Sequence, residues 1–259
     1  MAILRTFAVD RVQVRIFDTK TALGEAAAAD AVEILRATLA RQGRARIIVG
    51  TGNSQNEVIA ALRAAPLDWS AIEVFHMDEY AGIPEDHPAS FGRWLRTHLV
   101  DHVRPGAAHY VRGDAPDLEQ ECRRYAALLT AAPVDITFFG IGENGHIAFN
   151  EPGQADFADP QRVKRVVLDD RSRRQQVGEG HFPSLDAVPR EALTITCPVI
   201  ADSRYLIGCV PDERKAEAVR RTLEGPVGEE CPATLIRRHP AAALYLDLAS
   251  ASRLTGKGL

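Results

Sequence analysis

Short runs of β-branched and other apolar residues alternate with helix-forming runs along most of this chain. The clearest apolar runs are RIIVG at 46–50 and VDITFFG at 134–140. Continuous apolar runs of this length are typical of strands that are buried on both faces of a parallel sheet. Because helical runs separate the strands, the pattern predicts an α/β fold with a mainly parallel sheet flanked by helices.

The same alternation assigns much of the chain to regular elements. Strands are predicted at 12–17, 46–50, 71–77, 134–140, 165–168, 192–196, 205–210 and 241–248. Helices are predicted at 20–42, 54–65, 89–101 and 212–225. Neither a repeat nor a linker-like Ser/Pro/Gly tract divides the sequence, so we expect a single domain over residues 1–259. Residues 153–190 are the least regular part, and we expect a lid or a small excursion there.

Length and charge exclude several classes of protein. A chain of 259 residues buries roughly 70–75% of its unfolded surface and needs no disulfide or metal to hold a core. With 31 Lys and Arg against 35 Asp and Glu, the net charge of −4 lacks the basic excess of nucleic-acid binders. No apolar stretch is long enough to span a membrane, and the four cysteines form no CxxC pair. We therefore expect a cytoplasmic protein with reduced thiols and with no nucleic-acid or membrane partner.

The residues that follow each strand are the first candidates for a site, because ligands bind outside the carboxyl ends of parallel strands. GTGNSQNE at 50–57 follows a strand, and Ser54 with Glu57 has the spacing of a capping box. Glycines and the free N–H groups of a helix N-terminus suit a bound phosphate. The alternative is an ordinary strand-to-helix turn, since the segment matches neither common nucleotide-binding glycine pattern.

HMDEYAGIPEDHPASF at 76–91 follows the next strand. Asp78 and Glu79 are adjacent, so on an extended backbone one side chain can enter a cleft while the other is paired or solvated. The alternative is a solvated acidic turn. A metal site from His76, Asp78 and His87 fits no standard spacing, and we expect none.

GIGENGHIAFNEPG at 140–153 is rich in glycine and also apolar, with Asn144, His146 and Glu151 as its isolated polar groups. Such a loop is typical of a desolvated site rather than of a solvated turn. His146 is a natural proton carrier near neutral pH, and a carboxylate such as Glu151 can orient it. The alternative is a structural histidine.

Lys215 is predicted to lie in the first turn of a helix, where the helix dipole disfavours a cation unless an anion joins it. The alternative is an exposed lysine. Arg171, Arg173 and Arg174 are expected to be solvated, with at most one of them reaching a ligand. Together, these segments predict a phosphate anchor with a carboxylate and an imidazole for proton transfer, and no cofactor motif.

The segments at 76–91 and 140–153 resemble the two signature segments of the glucosamine-6-phosphate deaminase family, whose members are also called isomerases. The resemblance covers nearly the whole chain, and LEG at 223–225 and HP at 239–240 follow in the family's order. It implies a modified Rossmann-like α/β fold, a sugar phosphate as the partner molecule and no cofactor. The implied reaction converts glucosamine 6-phosphate and water to fructose 6-phosphate and ammonium.

The resemblance also implies a role for each candidate residue. Asp78 would move the proton between carbon 2 and carbon 1 of the open sugar. His146 would open the pyranose ring, Glu151 would orient His146, and Asn144 would complete that relay. The residues that would hold the phosphate are Thr51, Gly52, Asn53, Ser54 and Lys215.

The chain departs from the family pattern at three positions and in the anion loop, which reads GTGNSQ at 50–55 where the family's loop is closer to PTGGTP. The family's common relay residue at 144 is Asp, a phosphate-binding Arg falls at Gln176, and an allosteric-site Ser falls at Gln154. These departures leave the exact amino sugar and allosteric regulation open.

Two alternative functions fit these residues less well. A 6-phosphogluconolactonase of the same superfamily is disfavoured, since its segments are closer to DER and SLFPG than to DEY and AFNEP. A sugar-phosphate sensor is disfavoured because little chain remains for a DNA-binding module. Compact enzymes of this size often form symmetric homo-oligomers, but the sequence does not fix the oligomeric state.

Overall fold

The computed structural model describes residues 3–255, which contain the following elements. The strands are β1 (Ile3–Val9), β2 (Val12–Phe17), β3 (Ala45–Val49), β4 (Ile72–His76), β5 (Asp78–Tyr80), β6 (Ala107–His109), β7 (Ile136–Phe139), β8 (Val163–Val167), β9 (Glu191–Ile195), β10 (Tyr205–Val210) and β11 (Ala242–Asp247). The helices are α1 (Lys20–Gln42), α2 (Asn56–Ala64), α3 (Phe91–Leu95), α4 (Asp101–Val103), α5 (Leu118–Thr130), α6 (Asp170–Gly178), α7 (Cys197–Ala201) and α8 (Ala216–Glu224).

The main sheet has eight strands in the order β1-β2-β11-β10-β7-β3-β4-β6. Its neighbours are parallel, except that β1 and β2 form an antiparallel hairpin at one edge. Large apolar clusters are buried on its faces, with α1 and α2 covering one of them. The prediction of an α/β fold with a mainly parallel sheet is confirmed.

Helix α1 shows how local sequence sets an element. Its alanines favour a helix, Thr19 Oγ1 accepts the Ala22 N–H, and Gly43 ends the helix in the left-handed conformation at φ 72°. Gly24 lies against α2, where a Cβ atom would come within 2.4 Å of Glu57 Cβ. This close approach fixes α2, and therefore the glycine-rich turn before it, relative to the sheet.

A second sheet of three antiparallel strands, β5-β9-β8, packs beside the carboxyl ends of the main sheet. Its core is an aromatic cluster of Tyr80, Phe91, Phe149 and Phe182. The segment 153–190 is more regular than expected, because it supplies β8 and α6 to this part of the molecule.

The capping box predicted at Ser54 and Glu57 is wrong. A 3-10 turn over Asn53–Gln55 precedes α2 and begins after Gly52, which has no side chain to cap it. Ser54 therefore lies inside the first turn, and its hydroxyl accepts from Gln55 Nε2 at 3.1 Å. An extra turn of 3-10 helix has displaced the helix start by two residues.

Candidate active site

One cavity opens where β3, β4, β7 and β10 end. Its wall contains a residue set drawn from all four of these strand ends: Thr51, Gly52, Asn53, Ser54, Asp78, His146 and Lys215. The parallel topology brings these segments to one edge of the sheet, as expected of an α/β fold. Asn144 and Glu151 lie behind His146 and are buried.

Asp78 and Glu79 face opposite sides of strand β5. Asp78 lines the cavity and is 6% exposed, and burial, together with the charge of Glu79, raises the pKa of its carboxyl well above the ordinary value. Glu79 accepts hydrogen bonds from Ser90 Oγ at 2.7 Å and from the Gly92 N–H at 2.9 Å, and so anchors the start of α3. Both carboxyl groups are buried, so the alternative interpretation of this segment as a solvated acidic turn is wrong.

His76 lies outside the cavity wall. Burial lowers the pKa of its imidazole to about 3, so it is neutral at physiological pH. Between residues 3 and 255, the structure holds no group of three or more His, Cys, Asp or Glu side chains able to bind a metal.

His146 lies against the glycine loop with one ring nitrogen engaged. Its Nδ1 lies 3.3 Å from Glu151 Oε2 and 2.7 Å from Ser172 Oγ, while the ring lines the cavity. A Cβ atom on Gly142 would come within 2.3 Å of Nε2, so only glycine leaves room for this ring. The loop's glycine content therefore has a packing reason at the imidazole itself.

Glu151 and Asn144 form the layer behind the imidazole. Asn144 Nδ2 donates to Glu151 Oε2 at 2.6 Å, and Asn144 Oδ1 accepts the His146 N–H at 3.1 Å. Burial would raise the pKa of the Glu151 carboxyl, but His146, Ser172 and Asn144 outweigh burial and lower it. Glu151 is thus held as a carboxylate, which is the form that can support a charged imidazole.

The turn before α8 forms the basic end of the cavity, which carries Lys215 and Arg214. Gly52 has φ 94°, which lets the turn after β3 curl toward the cavity. Lys215 is buried, with Nζ 3.6 Å from Glu179 Oε1, so the exposed-lysine alternative is wrong. Burial lowers the pKa of its ammonium, while Glu179 and Glu143 act to raise it.

The arginines of 171–174 do not supply a further cation to the cavity. Arg173 is buried and donates to Leu185 O at 2.6 Å, and it therefore ties α6 to the following segment. Arg171 and Arg174 are exposed. Arg214 lines the cavity instead and lies 3.8 Å from both Glu143 and Glu179.

The pattern of residues did not predict one wall of the cavity, although the family resemblance places a phosphate-binding Arg at Gln176 in it. This wall comes from α6, from the residues after it and from the turn before α8: Gln175, Gln176, Glu179, His181 and Arg214. Gln175 Nε2 donates to Glu179 Oε1 at 2.8 Å, and His181 Nδ1 lies 2.8 Å from Gln176 Oε1. Adjacent glutamines on a polar helix carry no pattern that distinguishes a site from a solvated face, so no local signal could have found them.

Two further findings concern the described chain. Its four cysteines are buried and free, in agreement with the expected reduced thiols. Across residues 3–255, no helix has the length and apolar character needed to cross a bilayer.

The fold and the cavity define a class: an α/β protein of the Rossmann-like kind with a cavity, lined by a carboxyl group and an imidazole, at the carboxyl edge of its parallel sheet. The family model described as glucosamine-6-phosphate isomerases/6-phosphogluconolactonase matches residues 18–245. The chain belongs to this family.

Two similar proteins of this family carry the name of one enzyme. A glucosamine-6-phosphate deaminase from Bacillus cereus is 36% identical over 199 residues, covering 77% of this chain and 74% of that protein. One from Pseudarthrobacter chlorophenolicus is 37% identical over 233 residues, covering 88% and 87%. These relatives are enzymes named for a single activity.

Solved structures show the same fold. A monomeric glucosamine-6-phosphate deaminase superposes with a TM-score of 0.85 at 31% identity, covering 92% of this chain and 98% of that one. A 6-phosphogluconolactonase from Shewanella baltica superposes with a TM-score of 0.75 at 18% identity, covering 93% and 99%. At that identity, the lactonase shares the fold alone.

Proposed function

We propose that this chain is a glucosamine-6-phosphate deaminase, which converts glucosamine 6-phosphate and water to fructose 6-phosphate and ammonium. The observation that carries the proposal is the convergence of Asp78, His146 and the basic end with Lys215 on one cavity. A carboxylate, an imidazole and an anion anchor are the groups that ring opening and proton transfer on a sugar phosphate require.

The phosphate binds at the basic end of the cavity. The turn Thr51–Ser54 and Lys215 line the same cavity, and the backbone N–H groups of such a turn and an ammonium both suit a bound phosphate. Arg214 supplies the second cation, in place of the family arginine that falls at Gln176. Anchoring the phosphate fixes the sugar chain so that its carbon 2 meets Asp78.

His146 opens the ring. Its Nε2 takes the proton of the hydroxyl on carbon 1 and returns it to the ring oxygen, which breaks the bond between carbon 1 and that oxygen. Glu151 stabilises the charged imidazole while the proton is held. The open chain carries an aldehyde, which acidifies the hydrogen on carbon 2.

Asp78 then moves that hydrogen from carbon 2 to carbon 1, while the amino nitrogen loses a proton and the oxygen on carbon 1 gains one. The product is an imine at carbon 2, which takes up water and releases ammonium to give fructose 6-phosphate. Burial beside Glu79 raises the pKa of the Asp78 carboxyl, which makes its carboxylate a stronger base than an exposed aspartate.

Ammonium release from glucosamine 6-phosphate by the purified protein tests the proposal. We expect turnover in the wild type and its loss, by about 10²–10⁴-fold, in Asp78→Asn. Hydrolysis of 6-phosphogluconolactone without ammonium release would instead identify a lactonase, and tight binding of the sugar phosphate without turnover would identify a sensor.

A further inference from the structure

The layer behind His146 contains two side chains that the proposed reaction does not yet use. Ser172 Oγ lies 2.7 Å from His146 Nδ1, closer than Glu151 Oε2 at 3.3 Å. Asp169, at the N-cap of α6, accepts the Ser172 N–H through Oδ1 at 2.7 Å. The hydroxyl is thus the shorter of the two contacts to the imidazole.

Asp169 also contacts Asn144, which lies behind His146. Asn144 Nδ2 donates to Asp169 Oδ2 at 2.7 Å and to Glu151 Oε2 at 2.6 Å. A primary amide has two N–H hydrogens, so one nitrogen serves both carboxylates. Since only the amide can donate to both, these contacts also fix which way Asn144 points.

The amide at position 144 therefore separates two carboxylates. An aspartate there would have no hydrogen to give to Glu151 or to Asp169, and three carboxyl groups would meet. This accounts for the departure from the family's common Asp: here the second carboxylate of the network stands at 169.

We propose that Asp169 and Ser172 are positioning residues for His146, an inference that rests on the proposed function. Asp169 holds Asn144 with one oxygen and the start of α6 with the other. The Ser172 hydroxyl accepts a hydrogen bond from the Nδ1–H of His146. This holds the neutral ring with its hydrogen on Nδ1 and leaves Nε2 unprotonated for the hydroxyl on carbon 1. During ring opening the proton moves from that hydroxyl to Nε2 and on to the ring oxygen, so the network itself gains and loses none.

The two oxygens of Asp169 allow its two tasks to be separated. Capping α6 needs one side-chain oxygen, which an asparagine side chain provides as well as an aspartate does. In Asp169→Asn, that single oxygen would cap the helix, and the N–H₂ group of the substituted side chain would face the N–H₂ group of Asn144. The substitution therefore keeps the cap and breaks the contact to the relay.

The test compares Asp169→Asn and Ser172→Ala with Asp170→Asn as the matched control. Asp170 is the exposed neighbour that pairs with Arg173 and Arg174, away from His146. We expect kcat for ammonium release to fall about 10- to 100-fold in the first two variants, with KM within about twofold of wild type. The control should match wild type in both constants.

A second readout does not depend on turnover. Nitrogen-15 NMR of the histidine rings, with His146 assigned by its loss in His146→Gln, reports which nitrogen carries the hydrogen. We expect the Nδ1–H form in wild type and a mixture in Asp169→Asn and Ser172→Ala. Thermal unfolding of each variant is measured as well. If Asp169→Asn or Ser172→Ala is unfolded, the folded one of the two carries the comparison.

The proposal is overturned if both variants keep the wild-type kcat and the wild-type tautomer. An inactive wild type that shows Nδ1–H in NMR would sink the proposed function and leave the positioning intact. Asn144→Asp adds a further check: we expect its defect to be partly relieved by adding Asp169→Asn, since one of three carboxyl groups is removed. A double variant no more active than Asn144→Asp would contradict the network.

Discussion

Asp78 is a carboxyl group that folding places in an unfavourable setting. It is buried, the carboxyl of Glu79 lies beside it, and both raise its pKa. A raised pKa means that the folded state binds more protons than the unfolded state at pH values between the two pKa values. Stability therefore falls as the pH rises from the unfolded pKa through the folded pKa, and the loss is complete at neutral pH if the folded pKa lies below it.

Replacing Asp78 should consequently stabilise the fold while it destroys activity. In Asp78→Asn, no buried charge remains at this position, and we expect Tm at pH 8 to rise by about 2–4 °C, the shift that ~1 kcal/mol gives in a chain of this size. The gain should shrink at pH 4, where the wild-type carboxyl is protonated. Calorimetry at both pH values checks this. A lower Tm of the variant at pH 8 would show that the ionised Asp78 carboxyl instead stabilises the folded state.

The pH dependence of the reaction should report the same carboxyl. Because the base must be ionised, kcat/KM should fall toward acid pH through a pKa well above the ordinary value for aspartate. Glu79 is one cause of that rise, so in Glu79→Gln the acid limb should move to lower pH. Using one substrate for both proteins cancels its own titration, and an unmoved limb would remove Glu79 from the explanation.

At the scale of elements, the regular parts of the main sheet follow from the sequence. Helix α1 and strand β10 have the predicted bounds, because alanine-rich and β-branched runs carry strong local preferences. Strand β5 has three residues and α6 is highly polar, so neither shows a usable periodicity. Both are held by tertiary contacts that a local pattern does not contain.

The candidate site also contains residues that the sequence predicts and residues that it does not. Asp78 and His146 could be predicted because they lie in the segments that follow β4 and β7 of the parallel sheet. Asp169, Glu179 and Arg214 could not, because their approach depends on how the segment containing α6 folds over the strand ends.

The loop after β7 should be intolerant of a side chain at Gly142. A methyl group there would meet the His146 ring at 2.3 Å, so Gly142→Ala should displace the imidazole and lower kcat by about 10²-fold or more. Gly228 is the matched control, since nothing lies within 4 Å of an added Cβ there. Steady-state kinetics of both variants checks this, and near-normal activity in Gly142→Ala would mean that the ring position is not critical.

The turn before α8 should govern affinity for the phosphate. Arg214→Ala removes a cavity cation, and we expect KM for glucosamine 6-phosphate to rise about tenfold, or ~1.4 kcal/mol, with kcat little changed. Arg171→Ala is the control, because Arg171 is exposed and lies outside the cavity wall. Equal KM values in the two variants would remove Arg214 from the phosphate site.

At the scale of the whole molecule, the sheet topology brings the candidate site residues together. Turns that are distant in sequence meet because β3, β4, β7 and β10 end at the same edge, and the cavity wall described above comes from one chain. A homo-oligomer stays a prediction, and one similar deaminase of known structure is described as monomeric. Specific activity should therefore stay constant on about thousandfold dilution, whatever the assembly; a loss on dilution that tracks the measured mass would mean that a second chain completes the site.

The most direct test of the shared cavity is a crystal structure with an open-chain amino alditol 6-phosphate, which lacks the carbonyl and cannot react. The account predicts its phosphate against the turn Thr51–Ser54 and Lys215, and its carbon 2 about 3–3.5 Å from the Asp78 carboxyl. The hydroxyl on carbon 1 should face His146. A phosphate bound elsewhere, or a carbon 2 turned away from Asp78, would contradict it.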